Sequence, residues 1–355
     1  MEIPAKRSVC NLAEEWVAFV LVRNLLLPLR PSAAGPPDLV FDKFKIWDVP
    51  QGDWQRLDTA RQLFPEAAPP VHFNDCVYER RYTSIPPPRQ ASPSDFGSIP
   101  EDVEDALLLL RLFKTGDLAF AQLKVKKRNG SLDPQFPYRL ISNATPAGSY
   151  YRMGPEECAN WDTFASDLVR QSAWHATWFG VARRFFLYGG AKEFNCHKEP
   201  GTEINEVDRI VDYMIAIEAT LAPEKDVFIG KRLRERAVKL LGEEGEQADQ
   251  TRELLKKFYD LRSTVAHGSP LNESDREFIT KNKEGFEYTV RKLLIKGLRE
   301  LPSADKDRIQ LLANWWAPSD ADRAGKLLED FGRIKNHGEK ESLIKRLQVR
   351  VAGEG

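Results

Sequence analysis

Cysteine is scarce and poorly placed for structural chemistry. The 4 cysteines, Cys10, Cys76, Cys158 and Cys196, include no Cys-x-x-Cys pair, and no His stands at zinc-site spacing. A zinc centre and a disulfide framework are therefore not expected. Isolated thiols suit a reducing compartment, so a cytoplasmic protein is expected. A global positive charge is missing too. The 52 Lys+Arg and 53 Asp+Glu leave a formal net charge of −1, so any nucleic-acid contact must come from a local basic patch. There is no Gly-x-x-x-x-Gly-Lys loop, no Gly-x-Ser-x-Gly elbow and no carboxylate cluster for Mg²⁺, so no nucleotide, metal or other cofactor is expected. No repeat period appears. The apolar run Trp16–Leu29 is about 14 residues long, against the roughly 20 that span a bilayer, and Arg23 and Asn24 interrupt it. It reads as a buried helix or a strand pair, with no membrane segment and no cleaved leader.

What is present divides at about residue 155. A chain of 355 residues can bury a substantial core and is expected to form two domains with a tail. Residues 1–155 read as an α+β accessory or sensor domain, rich in proline. Pro36-Pro37, Pro69-Pro70 and Pro86-Pro87-Pro88 break short apolar segments, which favours short strands and loops. Leu39–Trp47 reads as one strand and Leu118–Val125 as another, while Asp105–Phe113 fits either a strand or a short helix. Ser84–Pro100 has the composition of a loop. Lys124, Lys126, Lys127 and Arg128 close on Asn129-Gly130 and are read as a solvated hairpin tip in preference to a phosphate contact.

Residues 156–302 read as an all-α, up-down bundle of four or five helices. Trp161–Tyr188 is expected to be one helix with Trp174, His175 and Trp178 in its packing. A second runs from about Glu203 to Leu221, with the stripe Ile210, Met214, Ile217, Leu221, and Pro223 ends it. Residues 226–241 form a third, with Arg232 and Arg236 on one face and Lys231 nearby. Glu243–Gln250 is expected to be an acidic loop, Asn272–Asn282 another loop, and Glu284–Leu301 the last helix. Residues 303–355 are expected to form a helical extension of two or three short helices, over Asp305–Trp316, Ala321–Phe331 and Lys340–Val351, with Trp315-Trp316 as its anchor.

Between those helices lies the stretch 254–270. Leu254, Phe258, Leu261 and Val265 trace one buried helical face. Gly268 suits the C′ position and Pro270 cannot continue the helix. Arg262, Ser263 and His267 are thus delivered at a helix end. Unbroken α-geometry places Arg262 and His267 about 140° apart, so they converge only if the last turn loosens or the Arg reaches round. Glu218 borders the core stripe of its helix; such a carboxylate is usually paired. Its expected role is to hold an arginine, with Arg232, Arg236 and Arg262 as candidates. Arg170 and His175 repeat the Arg-to-His spacing and are assigned to packing.

Arg262-Ser263-Thr264-Val265-Ala266-His267-Gly268 resembles the signature of the HEPN superfamily, an Arg, a polar residue and a His after four to six intervening residues. Asp208–Ala219, Gly230–Gly242 and Phe258–Gly268 stand in the order of the second, third and signature helices of its ApeA-like subfamily. The resemblance covers residues 160–300 and leaves the first 150 untouched. It implies a HEPN bundle and a metal-independent endoribonuclease. RNA would be cut by 2′-OH attack, leaving a 2′,3′-cyclic phosphate, at a cleft that two chains share in a two-fold dimer. Arg262 would bind the phosphate, His267 would position or activate the 2′-OH, and Ser263 and Glu218 would support them. Lys231, Arg232 and Arg236 would contact RNA. The chemistry suits the residues. Histidine has an unperturbed pKa near ~6.5 for proton transfer, and arginine offers a cationic fork to phosphate oxygens. The implied role is antiphage defence or a toxin acting on host RNA, tRNA among the candidates, with an unidentified antitoxin or phage trigger as a further partner. The rival expectation is a catalytically silent HEPN dimerisation or scaffold module in a defence or toxin–antitoxin complex.

Overall fold

The computed structural model describes residues 16–23, 25–27, 39–41, 44–48, 54–64, 67, 76–82, 98–116, 118–127, 151–192, 202–223 and 228–316. Within them the chain is α+β and mostly helical. The run at residue 16 is a strand, β1 (Trp16–Arg23), followed by the short β2 (Leu25–Leu26). β1 is apolar at consecutive positions because both of its faces are covered. Ala18, Val20 and Val22 join one core cluster, while Val17, Phe19 and Leu21 join another. It lies inside a five-stranded antiparallel sheet of order β3-β4-β5-β1-β6. The other strands are β3 (Leu39–Phe41), β4 (Phe44–Asp48), β5 (Cys76–Tyr82) and β6 (Ala119–Lys127).

Leu39–Trp47 is a hairpin, not one strand. β3 and β4 pair antiparallel, with Phe41 opposite Phe44. Helix α1 (Trp54–Leu63) covers one face of the sheet through Leu57, Ala60 and Leu63. The opposite face packs on α2 (Ser98–Phe113), whose residues Ala106–Leu110 are all buried. The apolar run at 105–113 is therefore helical, enclosed on every side, which removes the polar face that periodicity would reveal. It also gives the first half a 16-residue helix that its proline content argued against. The loop expected at 84–100 loses residues 98–100 to this helix, and 83–97 lie outside the described residues. The cluster at 124–128 ends strand β6, and 128–130 lie outside the description as well.

A short strand β7 (Tyr151–Arg152) pairs in parallel with β2 and leads into the helices. The Tyr151 hydroxyl donates to the Leu110 carbonyl at 2.6 Å. Lys114 donates to the Arg152 carbonyl at 2.8 Å and to Glu157 at 2.8 Å. Apolar packing continues across this junction, since one core cluster includes the inner sheet face, α2 and the helices that follow.

Those helices are α3 (Pro155–Val169), α4 (Thr177–Lys192), α5 (Thr202–Leu221), α6 (Ile229–Leu241), α7 (Gly245–Ala266), α8 (Glu273–Glu300) and α9 (Asp305–Trp315). The single helix expected over 161–188 is broken. Arg170 ends α3, Gln171 adopts extended geometry, and Ser172–His175 form a 3-10 turn before α4. Trp174 and Trp178 are core residues as expected, but His175 is exposed. The break rotates its side chain away from the packing that an unbroken helix would give it. The acidic segment from Gly245 to Gln250 is helical, because α7 starts at Gly245. Likewise α8 starts at Glu273, where the Asn272 side chain accepts the Asp275 N–H at 2.8 Å. In both cases residues read as loop by polarity are the exposed first turns of long helices, where acidic side chains complement the helix dipole. The tail beyond Trp316 lies outside the description. Trp315 packs against the core cluster, and the Trp316 carbonyl accepts from Arg236.

α4 and α5 approach closely because Gly189 faces Tyr213. A Cβ at Gly189 would meet the Tyr213 ring at 2.6 Å, and that ring is already held against Phe186 at 5.5 Å. A Cβ at Gly180, on the same helix, would meet nothing within 4 Å. Gly189→Ala should therefore lower stability by about 1–3 kcal/mol through overpacking, whereas Gly180→Ala should raise it by about 0.5–1 kcal/mol through helix propensity. Melting curves of the two variants measure the contrast, and an equal shift for both would contradict the packing.

Candidate functional site

Helix α7 buries Ala248, Thr251, Leu255, Phe258 and Leu261, with Leu254 and Val265 half-buried at the edge of that face. Phe258 stacks on Phe286 of α8 with centroids 3.9 Å apart. The core stripe thus runs through Leu255 more deeply than through Leu254. It fixes the rotation of the helix and so decides where Arg262 goes.

α7 ends as the sequence suggests. His267 is the C-cap and Gly268 follows at φ +71°, the left-handed geometry that favours glycine. The Gly268 N–H donates to the Val265 carbonyl at 2.9 Å and the Ser269 N–H to Thr264 at 3.1 Å, the pair of bonds that defines a Schellman ending. The His267 N–H is satisfied by the Ser263 carbonyl at 3.1 Å. The side chain of His267 is exposed beyond the last turn.

Arg262 faces α5. Its Nη2 donates to Glu218 Oε2 at 3.4 Å, so of the three arginines weighed as partners for Glu218 this is the one that meets it. Arg262 Nε is buried and makes no hydrogen bond. Burial pushes the Glu218 carboxyl above its ordinary range, and Arg262 pulls it back only in part. Tyr259, one turn before Arg262, belongs to the same group. Burial raises its hydroxyl pKa, Glu218 raises it further, and Arg262 opposes both. The start of α6 presses on this ring, since a Cβ at Gly230 would lie 2.8 Å from it. Tyr259 was not anticipated. Its position at i−3 from Arg262 is the signal that could have found it.

The helix stays regular from Arg262 to Ala266, so neither route to convergence is taken within one chain. Arg262 turns to α5 and His267 projects past the helix end, with no hydrogen bond between them. Ser263 adjoins His267 through its backbone carbonyl.

Arg232 and Arg236 are corrections. They are 2% and 0% exposed, which leaves their guanidinium groups no surface for RNA. Arg236 donates to the Leu221 carbonyl at 2.8 Å and to Trp316 at 3.0 Å. Arg308 of α9 donates to Ala219 at 2.6 Å and Thr220 at 2.9 Å. The Leu221, Ala219 and Thr220 carbonyls lie at the C-terminal end of α5, which has no intrahelical donors to offer them. A basic i, i+4 pair on a helix reads as a surface patch by composition alone, and only the neighbouring helix end reveals its other use. Lys231 is exposed, with its ammonium 5.3 Å from the centre of the Trp316 ring.

Beside the signature is a cavity of about 660 Å³, bordered by the start of α5, the end of α7 and the first turns of α8. Among the described residues no group of three or more His, Cys, Asp or Glu is placed to hold a metal ion. Cys158 is half-buried, and burial pushes its thiol up to about 11, so it is no thiolate nucleophile near neutral pH. No helix of the described residues is long and apolar enough to cross a membrane. No family model matches the chain, nor does any curated protein or solved structure compared with it.

The Glu218 carboxyl supplies a pH test. Its folded pKa lies above the unfolded one, so over that window the folded state keeps a proton the unfolded chain has released. Its contribution to stability then declines as pH rises. Glu218→Gln, neutral throughout, should gain in melting temperature relative to wild type between about pH 4 and pH 7. A variant that loses ground over that range would mean that the ion pair with Arg262 outweighs the burial of the carboxylate.

Proposed function

We propose that the chain is a HEPN-type endoribonuclease that cuts RNA without a metal ion, by attack of the 2′-OH on the adjacent phosphorus to give a 2′,3′-cyclic phosphate. The observation that carries this reading is the state of Arg262. One arm of its guanidinium is braced by Glu218, and the side chain keeps 29% of its surface exposed. A cation held in place with an open face is suited to a phosphate oxygen, because charge-assisted bonds are strongest where the group is already oriented. His267, exposed at the end of the same helix, is placed for proton transfer at a substrate hydroxyl. Glu218 orients Arg262, and Ser263 sits between the pair.

A single imidazole serves one side of an in-line displacement. The reaction needs a base for the 2′-OH and an acid for the 5′-oxygen, so the proposed enzyme is a two-fold dimer that brings two Arg262/His267 sets to one cleft. A motif near a two-fold axis is doubled by symmetry. The proposed setting is antiphage defence or a toxin acting on host RNA such as tRNA, in the cytoplasm, with an antitoxin or phage product as the trigger. The separation of Arg262 and His267 within one chain favours a second reading, a silent HEPN scaffold in which Arg262 serves only to tie α7 to α5.

Incubating the purified protein with total RNA in EDTA separates the two. Cleavage should persist in the chelator, and Arg262→Ala and His267→Ala should each lower its rate by about 10²–10⁴-fold with the fold retained. Cleavage that vanishes in EDTA and returns with Mg²⁺ would overturn the mechanism, and no cleavage under any condition would favour the scaffold. His175→Ala should leave the rate unchanged, since His175 lies on the 3-10 turn ahead of α4.

Subunit mixing addresses the shared cleft. With excess His267→Ala chains exchanged into wild-type dimers, activity should fall faster than the wild-type fraction. A strictly proportional fall, or an active monomer, is incompatible with a composite site.

A further inference from the structure

Arg262 has a neighbour to which the proposed reaction gives no task. At about 100° per residue, Tyr259, Arg262, Ser263 and Ala266 fall on one flank of α7, and His267 is the C-cap of the same helix. Tyr259 stands one turn before Arg262. Residues in that i, i+3 relation have Cβ atoms about 5–6 Å apart. Tyr259, Arg262 and Ser263 are half-buried, while Ala266 and His267 are exposed. The flank is therefore open to a ligand along its length.

The Tyr259 ring is firmly placed, yet its hydroxyl is unused. The start of α6 closes on the ring at Gly230, where a Cβ would lie 2.8 Å from Cδ1 and 2.9 Å from Cε1. A residue without a side chain permits this approach and fixes the ring from the α6 side. The hydroxyl makes no hydrogen bond among the described residues and is not sealed from solvent. Burial, the largest influence on it, raises its pKa; Glu218 raises it further, and Arg262 opposes both. The phenol thus stays protonated near neutral pH and keeps a donor to offer. Glu218 is engaged elsewhere, with Arg262 at 3.4 Å.

We propose that Tyr259 is a second phosphate-binding residue of this site, its hydroxyl donating to a non-bridging oxygen of the RNA phosphodiester that Arg262 holds. The assignment rests on the ribonuclease reading for the identity of the strand, and on the geometry of the flank for the contact. A phosphodiester presents two non-bridging oxygens, both acceptors. Arg262, with 29% of its side chain exposed, serves one of them from its open face. Tyr259 serves the other from the turn before. Because Glu218 offsets the Arg262 charge at 3.4 Å, a neutral donor strengthens the hold on the anion without a further cation to desolvate. Negative charge on those oxygens grows as the 2′-OH attacks phosphorus, and a donor already fixed in place is most effective there. No covalent bond to Tyr259 forms or breaks, and its proton stays on the phenolic oxygen.

Tyr259→Phe in the full-length protein is the direct test, because it keeps the ring against Gly230 and removes only the hydroxyl. Its melting temperature should equal that of wild type, and a clear fall would mean that the hydroxyl is bonded within the chain, which overturns the proposal. A short deoxyoligonucleotide carries the phosphodiester but no 2′-OH, so it reports binding without turnover. Its affinity should fall about tenfold in Tyr259→Phe. Wild type should also give a tyrosine ultraviolet difference spectrum on binding that Tyr259→Phe lacks. Cleavage of RNA in EDTA should slow by about 10–100-fold. Gly230→Ala, which drives a methyl against the ring, should weaken binding as well, and combining it with Tyr259→Phe should weaken it no further. Equal affinity of wild type and Tyr259→Phe for the oligonucleotide, or no binding by either, would overturn the contact. Inorganic phosphate distinguishes a strand from a free anion. Tyr259-dependent binding of phosphate, with an oligonucleotide indifferent to Tyr259, would assign the site to a free anion and sink the contact with RNA. RNA cut equally well by wild type and Tyr259→Phe would remove this contact and leave the ribonuclease reading standing. Tyr259-dependent oligonucleotide binding by a protein that cuts no RNA would keep the phosphate site and remove the ribonuclease reading.

Discussion

The helices are organised around the last turn of α5. Pro223 stops that helix and leaves its final carbonyls without intrahelical donors, and the surrounding chain supplies them. Arg236 reaches Leu221 from α6, and Arg308 reaches Ala219 and Thr220 from α9. The cations also complement the negative end of the helix dipole, so each bond is charge-assisted and shielded from water. On the same turn Glu218 meets Arg262 of α7. At Gly297, where a Cβ would come within 3.1 Å of the Thr220 methyl, α8 packs against it as well. Four helices are thereby positioned by one helix end.

That arrangement explains how the candidate site is held. Arg262 is oriented by a carboxylate that is itself half-buried at the rim of the core, and partial burial makes the Glu218 charge costly. The cost is only partly offset by the ion pair, so Glu218–Arg262 constrains direction without adding to stability. Tyr259 and Gly230 complete the packing around it. The Schellman turn then carries His267 out of this cluster and into solvent, next to the cavity. Direction, more than stability, is what these polar groups contribute.

The first half of the chain is coupled to the helices by apolar packing and by a few specific bonds. Arg183 of α4 meets Asp105 of α2 at 2.6 Å, and Arg111 donates to the Leu187 carbonyl at 2.9 Å. A change that shifts α2 against the sheet would therefore be felt along α4, and through Gly189 and Tyr213 at α5.

Much of the local structure was legible in the residues. The stripe Ile210, Met214, Ile217, Leu221 was enough to place the core face of α5, and Gly268 with Pro270 was enough to place the end of α7. Both follow from short-range rules of helix periodicity and capping. The strand at 119–127 was likewise visible, whereas the run from Trp16 fitted a buried helix or a strand pair until the sheet decided it. Boundaries were less legible where exposed first turns are polar, as at Gly245 and Glu273, because a solvated helical turn and a loop share a composition. The fate of charged side chains could not be read at all from their own neighbourhood. Arg232, Arg236 and Arg262 have the same chemistry, and each was a credible partner for Glu218. Only the rotation of α6 and α7 on the core decided that Arg262 meets the carboxylate, while Arg236 closes a helix end and Arg232 is buried. The same holds for Asp208 and Arg276, which are 68 positions apart and face one cavity because α5 and α8 pack together. Periodicity and capping are set by residues within a few positions of one another. Which charges meet is set by how whole helices pack, and that depends on the entire core.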